Sequence, residues 1–78
     1  MRVEIITPDE SLFKGEAKSV SMPGIDGSLG ILDNHAPLIT ALKAGDVHVR
    51  TGSGEEKTFT LKGGTAEVLH NRLLILAE

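Results

Sequence analysis

Asp46-Val47-His48-Val49-Arg50-Thr51, then Gly52-Ser53-Gly54, then Glu55-Glu56-Lys57-Thr58-Phe59-Thr60-Leu61-Lys62, is the stretch that decides the fold. Val47 and Val49 alternate with Asp46, His48 and Arg50, and Phe59 and Leu61 alternate with Thr58 and Thr60. A period of two is the signature of a strand with one buried face, and a Gly-Ser-Gly link between two such runs makes a β-hairpin. Its apolar face is expected to carry Val47, Val49, Phe59 and Leu61, leaving His48, Arg50, Thr58 and Thr60 outside.

The rest of the chain extends this reading. Arg2 to Ile6 alternates as a first strand, with Val3 and Ile5 inside and Arg2 and Glu4 outside, closed by Thr7-Pro8-Asp9 because Pro8 cannot donate to a ladder. Leu12 to Met22 shows a weaker alternation through Phe13, Ala17, Val20 and Met22, and is read as a strand with Gly15 as a candidate bulge. Pro23-Gly24-Ile25-Asp26-Gly27-Ser28-Leu29-Gly30 is read as a loop or tight turn, since so many glycines imply positive φ or close backbone approach. Thr65 to Glu78 fits a helical stripe through Ala66, Leu69, Leu73 and Leu76 as well as two strands, Thr65 to Leu69 and Leu73 to Ala77, turned at His70-Asn71-Arg72. Strands are preferred, because a final helix would have only a sheet edge to cover. Leu38 to Ala44 has the same ambiguity and is read as strand for want of charge on an outer face. Nine Gly and three Pro interrupt the chain too often for helices of ordinary length. The expected fold is all-β, a flattened sandwich of eight to ten short strands.

Seventy-eight residues make one domain, 1–78, with a thin core. With no Cys, stability must come from apolar packing, backbone pairing or a partner. A net charge of −3 gives no cationic surplus for phosphates, and Phe13 and Phe59, the only aromatics, give no base-stacking platform, so nucleic acid is not expected as a ligand. Glu4 interrupts the apolar start, which argues against a signal peptide and for a mature chain beginning at Met1. Leu73-Leu74-Ile75-Leu76-Ala77, the longest apolar run, is far short of the ~20 residues of a membrane-spanning helix. A soluble, cytoplasmic protein is expected, with any membrane association indirect.

Searching for chemistry yields little. His35, His48 and His70 lack the spacing of a metal site, and no metal or cofactor is expected. Ser28, Asp33 and His35 contain the residue types of a hydrolytic triad without the strand-turn-helix context that a nucleophile needs. Gly24, Gly27 and Gly30 have the wrong spacing for a phosphate loop and no anchoring Lys. His48 and His70 read as an exposed strand residue and a turn residue. His35 lies between Ile31-Leu32 and Ala36-Pro37-Leu38, where it reads equally as an interface residue or as a structural one whose imidazole bonds a nearby carbonyl. No catalytic residue is assigned and the chain is not expected to be an enzyme.

The run Pro23-Gly24-x-x-Gly27-x-x-Gly30-Ile31-Leu32-x-x-His35-Ala36-Pro37-Leu38-x-Thr40-x-Leu42-x-x-Gly45-x-Val47 resembles the signature of the epsilon subunits of bacterial F-type ATP synthases. Leu12-Phe13-x-Gly15-Glu16, Gly63-Gly64, Glu67-Val68, Asn71 and Leu76-Ala77-Glu78 agree with that family in order and spacing, so the resemblance covers the whole chain. It departs at Asp33-Asn34, where the family usually has Pro-Gly, and at Thr65, where an aromatic is usual. Asn34 tolerates positive φ and can keep the turn that glycine makes. Family members commonly continue into a helical hairpin beyond the residues matching Leu76-Ala77-Glu78.

The resemblance implies a β-sandwich of about ten strands at the foot of the central stalk, and it favours strands over a helix for Thr65 to Glu78. It implies two partners, the gamma subunit and the polar loops of the membrane c-ring, with proton-driven rotation of the ring passed to gamma and catalysis left to the beta subunits. By matching positions, Gly27, Ser28, Leu29 and Gly30 with His35, Ala36 and Pro37 are expected to face the c-ring, and Thr7 and Thr40, with neighbouring apolar residues, to face gamma. The implied location is peripheral, on the cytoplasmic face of the bacterial inner membrane. Because the family's ATP-sensing and inhibitory behaviour resides in the helical hairpin, these residues are expected to couple rotation without inhibiting hydrolysis. The competing reading is a free-standing small β-sandwich module that binds a peptide or carbohydrate through the glycine-rich stretch.

Overall fold

A computed structural model describes all 78 residues as nine strands and no helix. They are β1 (Arg2–Ile6), β2 (Ser11–Glu16), β3 (Ser19–Gly24), β4 (Gly27–Leu32), β5 (Leu38–Leu42), β6 (Gly45–Arg50), β7 (Glu56–Leu61), β8 (Gly64–Leu69) and β9 (Arg72–Ala77). One sheet runs β2-β1-β9-β8-β5-β3-β6-β7, with β4 paired to the other side of β3. It bends where β5 meets β3 at the single pair Gly24↔Leu42, which divides it into a first layer, β2-β1-β9-β8-β5, and a second, β4-β3-β6-β7. The extents of 27 × 24 × 18 Å are those of a flattened sandwich. With no helix, nothing here is long and apolar enough to cross a membrane as a helix.

The core lies between the layers and contains no buried polar or charged residue. Val3, Ile5, Leu73 and Ile75 from the first layer meet Val20, Ile31, Val47 and Val49 from the second, all essentially without solvent contact. Cross-strand pairs place like with like: Ile5 faces Ile75, Val20 faces Val49, and Val47 faces Phe59. The seam between edge strands β2 and β7 is closed by Phe13 and Phe59, edge to face with centroids 6.0 Å apart. Lys57 adds its ammonium 5.8 Å from the Phe13 ring. Of 48 backbone hydrogen bonds, 38 belong to strands, so the body is ladder-bonded nearly throughout.

The central hairpin is β6–β7, with Val47 and Val49 buried and His48, Arg50, Thr58 and Thr60 outside, as the alternation predicts. Thr65 to Ala77 forms the β8–β9 hairpin, turned by His70 and Asn71 at φ 51° and 58°. Two consecutive residues at positive φ make the primed turn that matches strand twist.

Three expectations need correction. Leu12 to Met22 is two strands, broken at Ala17-Lys18: β2 pairs only with β1, whereas β3 crosses into the second layer. Buried Ala17 accounts for the break: its N–H donates to the Met1 carbonyl beside β1, whereas the next, Lys18 N–H, donates to the Arg50 carbonyl of β6 in the second layer. The bulge is at Leu12, not Gly15. Ile5 faces Phe13 while Ile6 faces Ser11, because the Thr7 hydroxyl takes the N–H groups of Asp9 and Glu10 and fixes the turn that returns the chain one residue early. Gly15 simply faces Val3. Lastly, Pro23 to Gly30 is mostly the β3–β4 hairpin, with Gly24 facing Gly27 around Ile25-Asp26. A Cβ on Gly24 would lie 2.6 Å from the Gly27 carbonyl oxygen, so close approach requires glycine there within a strand.

Candidate docking surfaces

The two layers have unlike outer faces. On the second layer the outward residues of β6 and β7 satisfy one another. Arg50 meets the Glu56 carboxylate at 3.3 Å, the His48 ring is 3.0 Å from the Thr58 hydroxyl, and the Thr60 hydroxyl donates to Asp46 at 2.7 Å. On β4 of the same layer Leu32, in register with Ser19 and Arg50, is 64% exposed.

On the first layer the register sets Ile6, Leu76, Thr65 and Ala41 in one outward row and Glu4, Leu74, Glu67 and Ile39 in the next. Arg2, Arg72 and Leu69 form a third row at the far end. Ile39 is 74% exposed and Leu69 and Leu76 45% each, the kind of exposed apolar grouping that marks an interaction surface. Charge collects at one end, where Arg2, Lys14 and Arg72 line a groove with Glu4 and Glu67. The opposite end, near Ile6, Leu76 and Ala41, is apolar.

Thr7 and Thr40 both belong to this layer but do not adjoin. β9 and β8 lie between their strands. Thr7 caps the β1–β2 turn, and Thr40 faces buried Ala66 with its own side chain half-buried. The apolar neighbours that the resemblance left unnamed are Ile39 and Ala41, both exposed, and half-buried Ile6. A signal for them exists: Leu73-Leu74-Ile75-Leu76-Ala77 and Leu38-Ile39 do not alternate, and a strand apolar on both sides reads as covered on both sides.

Gly27, Ser28, Leu29 and Gly30 run along β4, an edge strand paired only with β3, and His35, Ala36 and Pro37 lie in its connection to β5. They make one continuous rim, not a compact site. Ser28 and Leu32 are exposed, whereas Leu29 packs on the core. Ser28 and His35 are separated by the remaining length of the strand, about 13 Å at 3.3 Å per residue. Their separation leaves no triad, and Asp33 is engaged by the Met1 ammonium group. The His35 ring bonds the carbonyl of the adjacent Ala36 at 2.7 Å. The three histidines occupy the rim, the second-layer face and the β8–β9 turn, and no group of three His, Asp or Glu side chains is placed to hold a metal.

Residues 1–78 match the family model described as ATP synthase, delta/epsilon chain, β-sandwich domain. The chain is 41% identical over 76 residues to the ATP synthase epsilon chain of Syntrophomonas wolfei, covering 97% of this chain and 56% of that one. It is 40% identical over 77 residues to the epsilon chain of Chlorobium limicola, covering 99% of this chain and 88% of that one. The Desulforamulus reducens epsilon chain is 44% identical over 77 residues, at 99% and 58% coverage. The chain thus spans little more than half of two of these relatives and most of the third. Among solved structures, a chain of the Euglena gracilis mitochondrial ATP synthase, solved as OSCP/F1/c-ring, superimposes with a TM-score of 0.90 at 22% identity, over 96% of this chain and 48% of that one. A chain of the Tetrahymena thermophila central stalk/c-ring structure gives 0.85 at 19% identity, over 99% and 62%. These two likenesses establish the fold, and the match of the family model over residues 1–78 establishes membership: the chain belongs to the delta/epsilon-chain β-sandwich family of ATP synthase.

Proposed function

We propose that this chain is a non-catalytic rotor part of an F-type ATP synthase, linking the gamma subunit to the c-ring. The observation that carries the reading is the asymmetry of the sandwich: β6 and β7 of the second layer pair their outward polar groups with one another, with Leu32 on β4 the large apolar group beside them, whereas the first layer presents apolar side chains from several strands, with Ile39 foremost. The first layer is the gamma side, reached by Thr40 and Thr7 through the apolar residues beside them. The β4 rim is the c-ring side, with Gly27, Ser28, Leu29, Gly30, His35, Ala36 and Pro37 facing polar loops. Bacterial epsilon chains are the relatives that support this reading. They also support placing the chain peripherally at the cytoplasmic face of the inner membrane.

A part that bears torque needs surfaces fixed on stiff elements, and a ladder-bonded slab of this thickness supplies them. Affinity on the gamma side comes from a few apolar anchors, while the charged end near Arg2, Lys14 and Arg72 sets orientation. The test is co-purification of the chain with gamma, and of the pair with detergent-solubilised c-ring. Stable binding to gamma and, with gamma, to the ring is the expected result. A chain that stays monomeric beside both partners, or that captures a peptide or glycan instead, overturns the reading.

A further inference from the structure

The connection from β4 to β5, residues 33–37, is the part of the rim with the least to hold it. Asp33, Asn34, Ala36 and Pro37 are exposed and only His35 is half-buried, so no buried apolar side chain anchors it. Its position is set by hydrogen bonds. The His35 N–H closes a turn on the Leu32 carbonyl at 3.2 Å. The Asp33 carboxylate accepts from the Met1 ammonium group, which also donates to the Ala17 carbonyl at 2.9 Å. The Asn34 N–H donates to Asn71 Oδ1 at 2.7 Å, a contact that joins residues 37 apart. Because the donor is a backbone N–H, the Asn71 atom that faces it must be the amide oxygen. Asn71 is fixed in its turn: it sits at φ 58° in the β8–β9 hairpin, and its carbonyl accepts from the Arg2 N–H at 3.1 Å. Asn34, at φ 61°, is equally at positive φ.

We infer that Asn71 is a positioning residue for the rim, holding Asn34, and through it Asp33 to Pro37, in the one arrangement that docks on the polar loops of the c-ring. The inference rests on the rotor reading. Asn71 belongs to the hairpin at the centre of the gamma-side layer, so the bond also ties the ring-facing rim directly to the gamma-facing sheet. Load applied at His35 to Pro37 passes into β8–β9 at this point as well as through the strands.

Two substitutions separate this role from a role in the turn alone. Asn71→Gly keeps a residue suited to positive φ but removes the acceptor. Asn71→Asp keeps both the tolerance of positive φ and an oxygen in the same place. Loss of one ordinary hydrogen bond lowers the population of the docking-competent rim, and with it the apparent affinity, by about three- to tenfold. In the gamma-bound complex titrated with solubilised c-ring, Asn71→Gly is expected to bind three- to tenfold more weakly, and Asn71→Asp within twofold of the unsubstituted chain. Gamma affinity should be unmoved in both, while melting should fall by several degrees in Asn71→Gly and stay near that of the unsubstituted chain in Asn71→Asp. In the chain alone, amide exchange at Asn34 should accelerate in Asn71→Gly and not in Asn71→Asp. Undiminished ring binding by Asn71→Gly, unchanged exchange at Asn34, or an Asn71→Asp as weak as Asn71→Gly overturns the inference while leaving the rotor reading intact. An unsubstituted chain that fails to bind the ring overturns the rotor reading, and the exchange measurement then still reports whether the bond exists.

Discussion

Gly64→Ala should be among the most damaging single-methyl additions to this chain, because it meets two penalties at once. Gly63-Gly64 is the corner where the chain leaves β7 in the second layer and enters β8 in the first. A Cβ on Gly64 would stand 2.1 Å from the Leu76 carbonyl oxygen, against the 3.0 Å below which such contacts are essentially never seen, so something must move by at least 0.9 Å (3.0 − 2.1). The obstacle is main chain of β9, held between β8 and β1, and cannot swing aside as a side chain would. Moving it sacrifices about two ladder bonds at Gly64↔Ala77 and Thr65↔Leu76, at ~0.5–1.5 kcal/mol each. The residue also sits at φ +149°, where an L-side chain adds about 1–3 kcal/mol of strain. The sum is about 2–6 kcal/mol, against about 4–12 kcal/mol for a whole domain of this length. Gly63→Ala isolates the strain term: its φ is +144°, but its nearest contact, at 3.1 Å, is the movable carboxylate of Glu78. Gly52→Ala, with nothing within 4 Å, is the control and should stay within about 0.5 kcal/mol of the parent. Urea titration reads the series. With a slope near 1 kcal/mol/M for a chain this small, the Gly64→Ala midpoint should fall by about 2 M or more at unchanged slope. Equal midpoints for Gly64→Ala and Gly63→Ala would refute the steric argument.

Other expectations follow from burial and exposure. Ile75, with no solvent contact, should cost about 2–5 kcal/mol when cut to Ala, a drop of at least ~8 °C in melting followed by circular dichroism. Ile39→Asp, at the most exposed large apolar site, should leave melting of the free chain within a few degrees while weakening gamma binding by at least about tenfold in calorimetric titration. Arg50→Ala breaks a pair whose side chains are 57% and 47% exposed, and should change urea stability by less than about 0.5 kcal/mol at any salt concentration.

How far the sequence could be read depended on whether one face or two were apolar. β6 and β7 alternate because one side is core and the other is water, and they were legible residue by residue. β9 has Leu74 and Leu76 outside as well as Leu73 and Ile75 inside, so the period vanished and helix competed with strand until the family resemblance favoured the latter. The break at Ala17-Lys18 carries neither Gly nor Pro, and it exists because two backbone N–H groups find long-range partners, which no local pattern announces. Conversely, the glycines from 24 to 30 announced a loop or tight turn, and the turn is confined to Ile25-Asp26 with paired strand on either side, since glycine answers crowding as readily as it answers positive φ. The rim residues were placed by resemblance alone, and the Asn71–Asn34 bond, spanning 37 residues between two turns, left no trace that sequence spacing could reveal.

The loss of alternation in β9 is itself informative about function. A two-layer sandwich of this length buries its core using one face of each sheet, and alternation on every strand would suffice for a free-standing module. The second layer obeys that rule on β6 and β7. The first layer does not: Ile39, Leu74 and Leu76 add apolar surface to strands whose inner faces are already complete, at a cost in solubility that folding alone does not explain. Such surface is stabilising only when something covers it. A thin-cored domain also gains stability from any partner that binds its folded form alone, so if the proposed gamma contact lies on this face, gamma would raise the unfolding temperature of this chain. Ile39→Asp should abolish most of that gain without changing the melting of the free chain, and a gain that survived it would place the gamma contact on some other face.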